Sequence, residues 1–255
     1  MRIISYNVNG IRAAINKGFL DWLRTDPADV ICVQETKASR ENIDHLPFHE
    51  MGYMDYWFSA QKKGYSGVAV FSKLKPDHVQ YGNGHGPSDE EGRVIQMDFG
   101  SLRLINAYFP SGTSGGERQE FNYQWLDEFF RYITKLKKKY PQMILCGDYN
   151  IAHQAIDIHD PKGNKNSSGF LPEERAWMDK LFASSWVDSF RVFHPEPHRY
   201  TWWSQRFPTV RAQNKGWRID YINTTKELSS KLVNADIFPE VKHSDHCPVY
   251  LEIKS

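Results

Sequence analysis

Three cysteines in 255 residues, Cys32, Cys146 and Cys247, form an odd set without a C-x-x-C spacing. That argues against a disulfide framework and against a cysteine-ligated zinc site. Each sits in or beside an apolar run, the setting of a reduced and buried thiol. Charge of one sign is also missing: 32 Lys and Arg stand against 31 Asp and Glu, a formal net charge of +1. The chain-wide basic excess that many nucleic-acid binders carry is therefore absent, and any basic surface must be local. No apolar run has the length of a membrane span, and the chain opens directly into the strand-like Met-Arg-Ile-Ile-Ser-Tyr rather than a signal-peptide pattern. A cytoplasmic protein with no membrane partner is expected. A Walker-type Gly-Lys-Ser/Thr loop is lacking as well, which removes support for a nucleotide-driven motor.

What is present is aromatic and alternating. Aromatics make up 14% of the chain and include eight Trp; core packing accounts for most, and a stacking surface is open to the rest. Short β-branched runs at 3–8, 30–33, 68–71, 94–99, 102–108, 143–146, 219–222 and 249–253 read as strands. Helical patterns fall at 19–24, 117–139 and 172–182, the last opening on Pro172 with Glu173 and Glu174 in its first turn. The tight turn at Phe99-Gly100-Ser101 predicts a hairpin, hence antiparallel or mixed sheets of an α/β or α+β protein. Segments 81–92 and 162–169 read as surface loops rather than linkers, because apolar strands resume on both sides, so a single domain over 1–255 is expected.

The chemistry-bearing residues sit at the ends of those strands. Asn7 and Asn9 are two apart just before Gly10, which places them on one side of a strand. The run Val30 to Gln34 leads straight into Glu35, Asp148 and Asn150 repeat the two-residue spacing, and Asp245 and His246 are adjacent just before another apolar strand. Carboxylates with amide oxygens, and no Cys or His cluster at zinc spacing, favour a hard cation such as Mg²⁺ or Mn²⁺. Such a set suits phosphodiester hydrolysis, where charge on the non-bridging oxygens must be neutralised and a water aimed in line. Each motif alone is as compatible with a cap or a turn; their joint order along the chain carries the weight.

Those segments, together with Gly-Tyr-Ser-Gly-Val (64–68), Glu-Gly-Arg-Val (91–94), Asn-Ala-Tyr-Phe-Pro-Ser-Gly (106–112), Gly-Phe-Leu-Pro-Glu-Glu-Arg (169–175), Tyr-Thr-Trp-Trp (200–203), Gly-Trp-Arg-Ile-Asp-Tyr (216–221) and Ser-Asp-His-Cys-Pro (244–248), stand in one order. In that order the chain resembles the exonuclease III group of apurinic/apyrimidinic endonucleases, within the endonuclease/exonuclease/phosphatase superfamily. The resemblance implies a DNase I-like four-layered α/β sandwich, two packed mixed β-sheets flanked by helices. It further implies a metal-dependent, monomeric DNA repair nuclease acting on double-stranded DNA with abasic sites or blocked 3′ ends. Such an enzyme nicks 5′ to the abasic site, leaves a 3′-hydroxyl, and carries 3′-phosphodiesterase, 3′-phosphatase and 3′-to-5′ exonuclease activity. The alternative is a superfamily phosphatase acting on a non-DNA phosphoester.

By the same resemblance Glu35 is the principal ligand of one Mg²⁺ or Mn²⁺, or of two ions, with Asn7, Asn9, Asp148, Asn150 and Asp245 in the ligand set. Asp148 orients or deprotonates the attacking water, Asn7, Tyr108, Asn150 and His246 bind the scissile phosphate, and Asp220 fixes His246. Some relatives carry Asp where this chain has Asn9, and some carry Asn where it has Ser111; the first difference favours a single ion. Trp202, Trp217 and Ile219 match the lining of an abasic pocket, although Ile219 reads equally as core. Grip on the DNA backbone is expected from Arg12, Lys17, Lys37, Tyr65, Arg93 and Arg118 with amides around Gly64 and Gly67. Lys135, Lys137, Lys138 and Lys139 read as a solvated helix end favoured by the helix dipole, and the loop 201–216, with Arg206 and Arg211, reads equally as a groove-entering element and as an ordinary surface loop.

Overall fold

The computed structural model describes residues 1–207 and 209–254. Its strands are β1 (Arg2–Asn7), β2 (Val30–Gln34), β3 (Met54–Phe58), β4 (Val68–Ser72), β5 (His78–Tyr81), β6 (Val94–Phe99), β7 (Leu102–Tyr108), β8 (Gln142–Asp148), β9 (Trp186–Asp188), β10 (Asp220–Thr225), β11 (Leu232–Ile237) and β12 (Val249–Ile253). The helices are α1 (Ile11–Asn16), α2 (Phe19–Thr25), α3 (Leu46–Glu50), α4 (Gly86–Glu90), α5 (Gly116–Lys139), α6 (Pro172–Ala183) and α7 (Ser189–Phe193). Two six-stranded sheets result, in the orders β11-β12-β1-β2-β4-β3 and β5-β6-β7-β8-β10-β9. Both are mixed, because β1 pairs with β2 and β7 with β8 in parallel while the other neighbours are antiparallel. The hairpin expected at Gly100 joins β6 to β7.

Strand parity explains the layering. Successive side chains of a strand point to opposite faces. On β2, Val30 and Cys32 enter the core between the sheets, while Ile31 and Val33 pack outward with Phe19 and Phe48. On β8, Ile144 and Cys146 face the same inter-sheet core, and Met143 and Leu145 pack against Trp125 and Phe129 of α5 and Met178 of α6. Both central sheets are thus apolar on both faces and covered on the outside by helices, which makes the four layers. All three cysteines are buried and free. Strands β3, β5, β9 and β11, absent from the sequence reading, are edge or near-edge strands whose faces are only partly buried, so their apolar signal is weak.

A polar bridge crosses the largely apolar gap between the sheets. Asn106 of β7 donates from Nδ2 to the carbonyls of Val33 and Ala69, at 3.1 and 3.0 Å, and its Oδ1 accepts from Gln34 Nε2 at 2.8 Å. Gln34 also donates to the Ser5 hydroxyl at 2.9 Å. These groups lie directly beneath the strand ends that carry the polar set. Among the described residues no helix is long and apolar enough to cross a membrane.

The bridge makes a stability prediction. Asn106→Ala takes away one of the acceptors of Gln34 and removes the donor to two buried carbonyls, and is expected to cost about 2–3 kcal/mol. Urea unfolding should show a lower midpoint at an unchanged slope.

Candidate active site

The two parallel pairs deliver their C-terminal ends to the same edge of the sandwich. Asn7 and Gln34 are paired at the end of β1 and β2, Tyr108 and Asp148 at the end of β7 and β8, and Asp220 opens the antiparallel β10 opposite Asp148. The loop before β12 brings Asp245 and His246 to the same place. Glu35, Asn9, Lys37 and Asn150 all have left-handed backbones, with φ of 55°, 45°, 50° and 54°. Non-glycine residues seldom adopt that conformation unless their surroundings enforce it, and such strain gathers at functional sites.

Asn7 is buried at the centre of the cluster. Its Nδ2 donates to Glu35 Oε2 at 3.1 Å and to Asp148 Oδ2 at 2.7 Å, and its Oδ1 accepts the Asn9 backbone N–H at 2.9 Å. The backbone donor fixes the amide orientation, so Asn7 turns its N–H side toward the carboxylates and not its oxygen. Asn9 Nδ2 donates to Asp245 Oδ1 at 2.9 Å, and Trp202 Nε1 donates to Asp245 Oδ2 at 3.1 Å. Lys37, expected on the DNA backbone, points inward instead: its ammonium lies 3.0 Å from Glu35 Oε1 and donates to Asn9 Oδ1 at 2.5 Å.

The second half of the site is a proton-holding pair. His246 Nδ1 lies 2.9 and 3.1 Å from the two Asp220 oxygens and must donate to them, because a carboxylate only accepts. Its Nε2 is 3.9 Å from Asp148 Oδ2. Burial opposes a charge on the imidazole, but the Asp220 and Asp148 carboxylates outweigh it and push the His246 pKa up to about 10. Asp148 is raised as well: burial and then the charge of Asp220 lift it to about 7, against the pull of His246 and the N–H donors of Asn150 and Asn7. Asp245 is held below its ordinary value, since the charge of His246 and the Asn9 and Trp202 donors overcome its burial. Burial, with the charges of Glu35 and Asp148, keeps the Tyr108 phenol protonated and available as a donor. Asn150 anchors its amide on the Phe109 carbonyl at 2.9 Å.

Two donor sets could hold a cation. Glu35, Asn9 and Asp245 offer oxygens only, and the Lys37 ammonium seated against Glu35 and Asn9 shows that this cradle draws positive charge. Asp148, Asp220 and His246 have ligating atoms within 4.8 Å of one another, a cluster not singled out from the sequence as a metal site. Both sets line or adjoin a cleft of about 820 Å³. Trp202, Trp217 and Ile219 stand over its rim with Phe170, Ala152 and Ile158 behind them; the two indoles meet edge to face at 5.9 Å. The sequence left Ile219 open between pocket and core, and it is both: a buried residue that also lines the cleft.

The expected backbone contacts divide. Arg12, Lys17 and Gly64 are exposed. Arg12, Lys37, Gly64 and Tyr65 line a smaller basic hollow with Lys62 and Lys63, which the sequence reading did not single out. Arg93 is a correction. It is buried, donating to Glu91 at 2.6 Å and to the Tyr108 carbonyl at 2.8 Å while its guanidinium covers the Tyr108 ring, so it supports Tyr108 instead of facing DNA. Arg118 is half-buried and likewise committed, to Glu91 and to the Tyr65 hydroxyl. Arg211 is spent on the carbonyls of Pro239, Val241 and Ser244, whereas Arg206 of the same loop lines the cleft.

Comparison with known proteins places this geometry. Residues 4–246 match the Endonuclease/Exonuclease/phosphatase family. The chain is 44% identical over 255 residues to an exodeoxyribonuclease of Bacillus subtilis, covering 99% of each, and 39% identical to the DNA repair nuclease APEX1 of Danio rerio, covering 98% of this chain and 81% of the relative. Among solved structures it superposes with a TM-score of 0.92, at 27% identity, on a 3′ phosphatase from Neisseria bound to a product DNA hairpin. An AP endonuclease from Archaeoglobus fulgidus gives 0.91 at 30% identity, and in both cases the whole of each chain is covered. This chain, with its two mixed sheets and its carboxylate-lined strand ends, therefore belongs to the endonuclease/exonuclease/phosphatase family.

Proposed function

We propose that this chain is a divalent-metal-dependent DNA repair nuclease that hydrolyses the phosphodiester 5′ to an abasic site in duplex DNA and also clears blocked 3′ ends. It is a hydrolase of the exonuclease and AP endonuclease group. The observation that carries the substrate is the apolar wall of Trp202, Trp217 and Ile219 standing directly beside the Asp148 and His246 cluster. A sugar without its base can enter such a pocket, while a normal nucleotide overfills it. DNA-acting relatives across the full chain favour this reading over a non-DNA phosphoester. A monomer in the cytoplasm completes the proposal.

Each residue then has a role. His246, keeping its proton through neutral pH, and the Tyr108 phenol donate to the non-bridging phosphate oxygens, where negative charge grows in the transition state. Asp148, raised to about 7, suits a base that takes a proton from the attacking water near neutral pH. Asn7 and Asn150 hold Asp148 in place through their N–H groups. Glu35, with Asn9 and Asp245, is the set we assign to Mg²⁺, or to Mn²⁺ in its place, and a single ion fits the one fewer carboxylate at position 9. When bound, the cation neutralises phosphate charge and fixes the substrate. Lys37 must leave Glu35 for that cation, and the basic hollow with Arg12, Lys62 and Lys63 offers it a place beside a backbone phosphate. Arg206 in the cleft and the exposed Lys17 are further cations we assign to the DNA backbone.

Three outcomes test these roles. On a duplex with one abasic analogue, EDTA should abolish cleavage and Asp148→Asn should slow it roughly 10³-fold; activity retained in either case sinks the mechanism, and cleavage of inositol phosphate alone sinks the substrate. Lys37→Met removes the ammonium from Glu35 and should tighten Mn²⁺ binding to the DNA-free protein by roughly tenfold, read by calorimetry, while weakening DNA binding. For His246 the sign is that of a raised pKa: the pairing stabilises the fold below the ordinary histidine value and is lost as pH climbs toward about 10. The His246 ring should therefore stay protonated by NMR at neutral pH in the wild type and titrate at lower pH in Asp220→Asn.

A further inference from the structure

The segment Gly-Phe-Leu-Pro-Glu-Glu-Arg has no part in the chemistry above, yet it contains a buried carboxylate. Glu174, in the first turn of α6, is 1% exposed. One of its oxygens accepts the backbone N–H of Gly169 at 2.6 Å and of Leu171 at 3.0 Å. The other accepts from Gln119 Nε2 at 2.9 Å and from the Ser168 hydroxyl at 3.4 Å. Four donors meet the roughly four lone-pair positions of a carboxylate, so the group is saturated. Burial still raises its pKa in spite of those bonds. A carboxylate buried without a cationic partner is costly, and a neutral capping side chain would serve the helix as well.

What these bonds hold is the back of the apolar pocket. Gly169 has φ +90°, and a Cβ there would lie 2.8 Å from the Asn150 carbonyl oxygen and 3.1 Å from the Trp217 ring. Its carbonyl accepts the Ala152 N–H at 2.8 Å. Phe170, next along, is buried with Ala152, Ile158 and Ile219 against Trp202 and Trp217. On the far side Gln119 of α5 presses on Gly112, where a Cβ would strike its Oε1 and the Ser168 hydroxyl. Asn122, one turn further along α5, donates to the Pro110 carbonyl at 2.6 Å. Glu174 thereby braces the 167–171 loop directly, and through Gln119 and Gly169 it is linked to Gly112 in the loop after Tyr108 and to the indole of Trp217.

We infer that Glu174 is a positioning residue that sets the shape of the apolar pocket, and through it the preference for a sugar without a base, while touching no reacting group. The inference rests on the abasic-DNA reading of the same site. Oxygen chemistry separates a positioning role from simple bulk. In Glu174→Gln the remaining oxygen can keep the Gly169 and Leu171 N–H groups, and the new amide can face Gln119 and Ser168, whose own amide and hydroxyl can reverse to accept. In Glu174→Ala the two backbone N–H groups lose their partner and the loop is released.

The test compares kcat/KM on an abasic duplex with kcat/KM on a duplex ending in a 3′-phosphate, which needs the same reaction centre but not the filled pocket. Glu174→Ala should lower the abasic-to-3′-phosphate ratio by at least about tenfold, and Glu174→Gln should stay within about twofold of the wild type. Should the Ala variant not fold, Glu174→Asp, one methylene too short to reach both sides, gives the same comparison. Activities that fall in step, an unchanged ratio, or a Gln variant as impaired as Ala overturn the inference alone. A wild-type protein that leaves abasic duplex intact overturns the functional reading, and the inference with it.

Discussion

The amide of Asn7 bonds one carboxylate from each sheet, Glu35 beside the end of β2 and Asp148 at the end of β8. Bringing buried carboxylates together is unfavourable unless donors and positive charge offset their repulsion. The rest of the site follows from that requirement. Lys37 settles on Glu35, His246 keeps its proton between Asp220 and Asp148, and Asn9 and Trp202 donate to Asp245. A cluster so arranged is poised to exchange part of its own positive charge for a cation and a phosphate. The polar bridge of Gln34 and Asn106 beneath it ties the same two sheets together.

A second tier of buried charge supports the substrate wall. Arg218 is buried, donating to Asp157 Oδ1 at 2.8 Å and to Asp188 at 2.6 and 3.2 Å, and its backbone N–H reaches the Asp157 carbonyl at 2.7 Å. Its neighbours in sequence are Trp217 and Ile219, so the ion pairs fix the segment leading into β10 that carries two of the three pocket residues. Arg93 does the same for Tyr108 from the other sheet edge. Buried ion pairs are weak contributors to stability, and their use on both sides of the cleft fits a role in holding a particular geometry.

Much of this was legible in the amino acids because its physics is local. The parity of Val30 to Val33, the Gly100 turn, and Pro172 with Glu173 and Glu174 each specify an element through a side-chain period or a helix start, and each element is present. Edge strands such as Met54–Phe58 and Leu232–Ile237 were not, since half-exposed faces blur the alternation. The partners of Arg93 and Lys37 were hidden for a common reason. A cation near a site motif looks like a phosphate contact until the carboxylate it faces, Glu91 or Glu35, is known.

By itself, then, the sequence determined the alternation of strands and helices, the lack of any cysteine spacing for a disulfide framework or a zinc site, and the strand-end residues Asn7, Glu35, Asp148, Asp245 and His246, because period, spacing and residue chemistry are properties of short segments; the layered sandwich and the role of Asp220 came only with the resemblance to the family. Only the tertiary structure decided which way the Asn7 amide points, that Lys37 lies on Glu35, that Arg93 serves Tyr108, and that Glu174 braces the wall behind Trp217. Those are pairings between groups far apart in the chain, set by which buried charge has to find which partner once the two sheets have closed on each other.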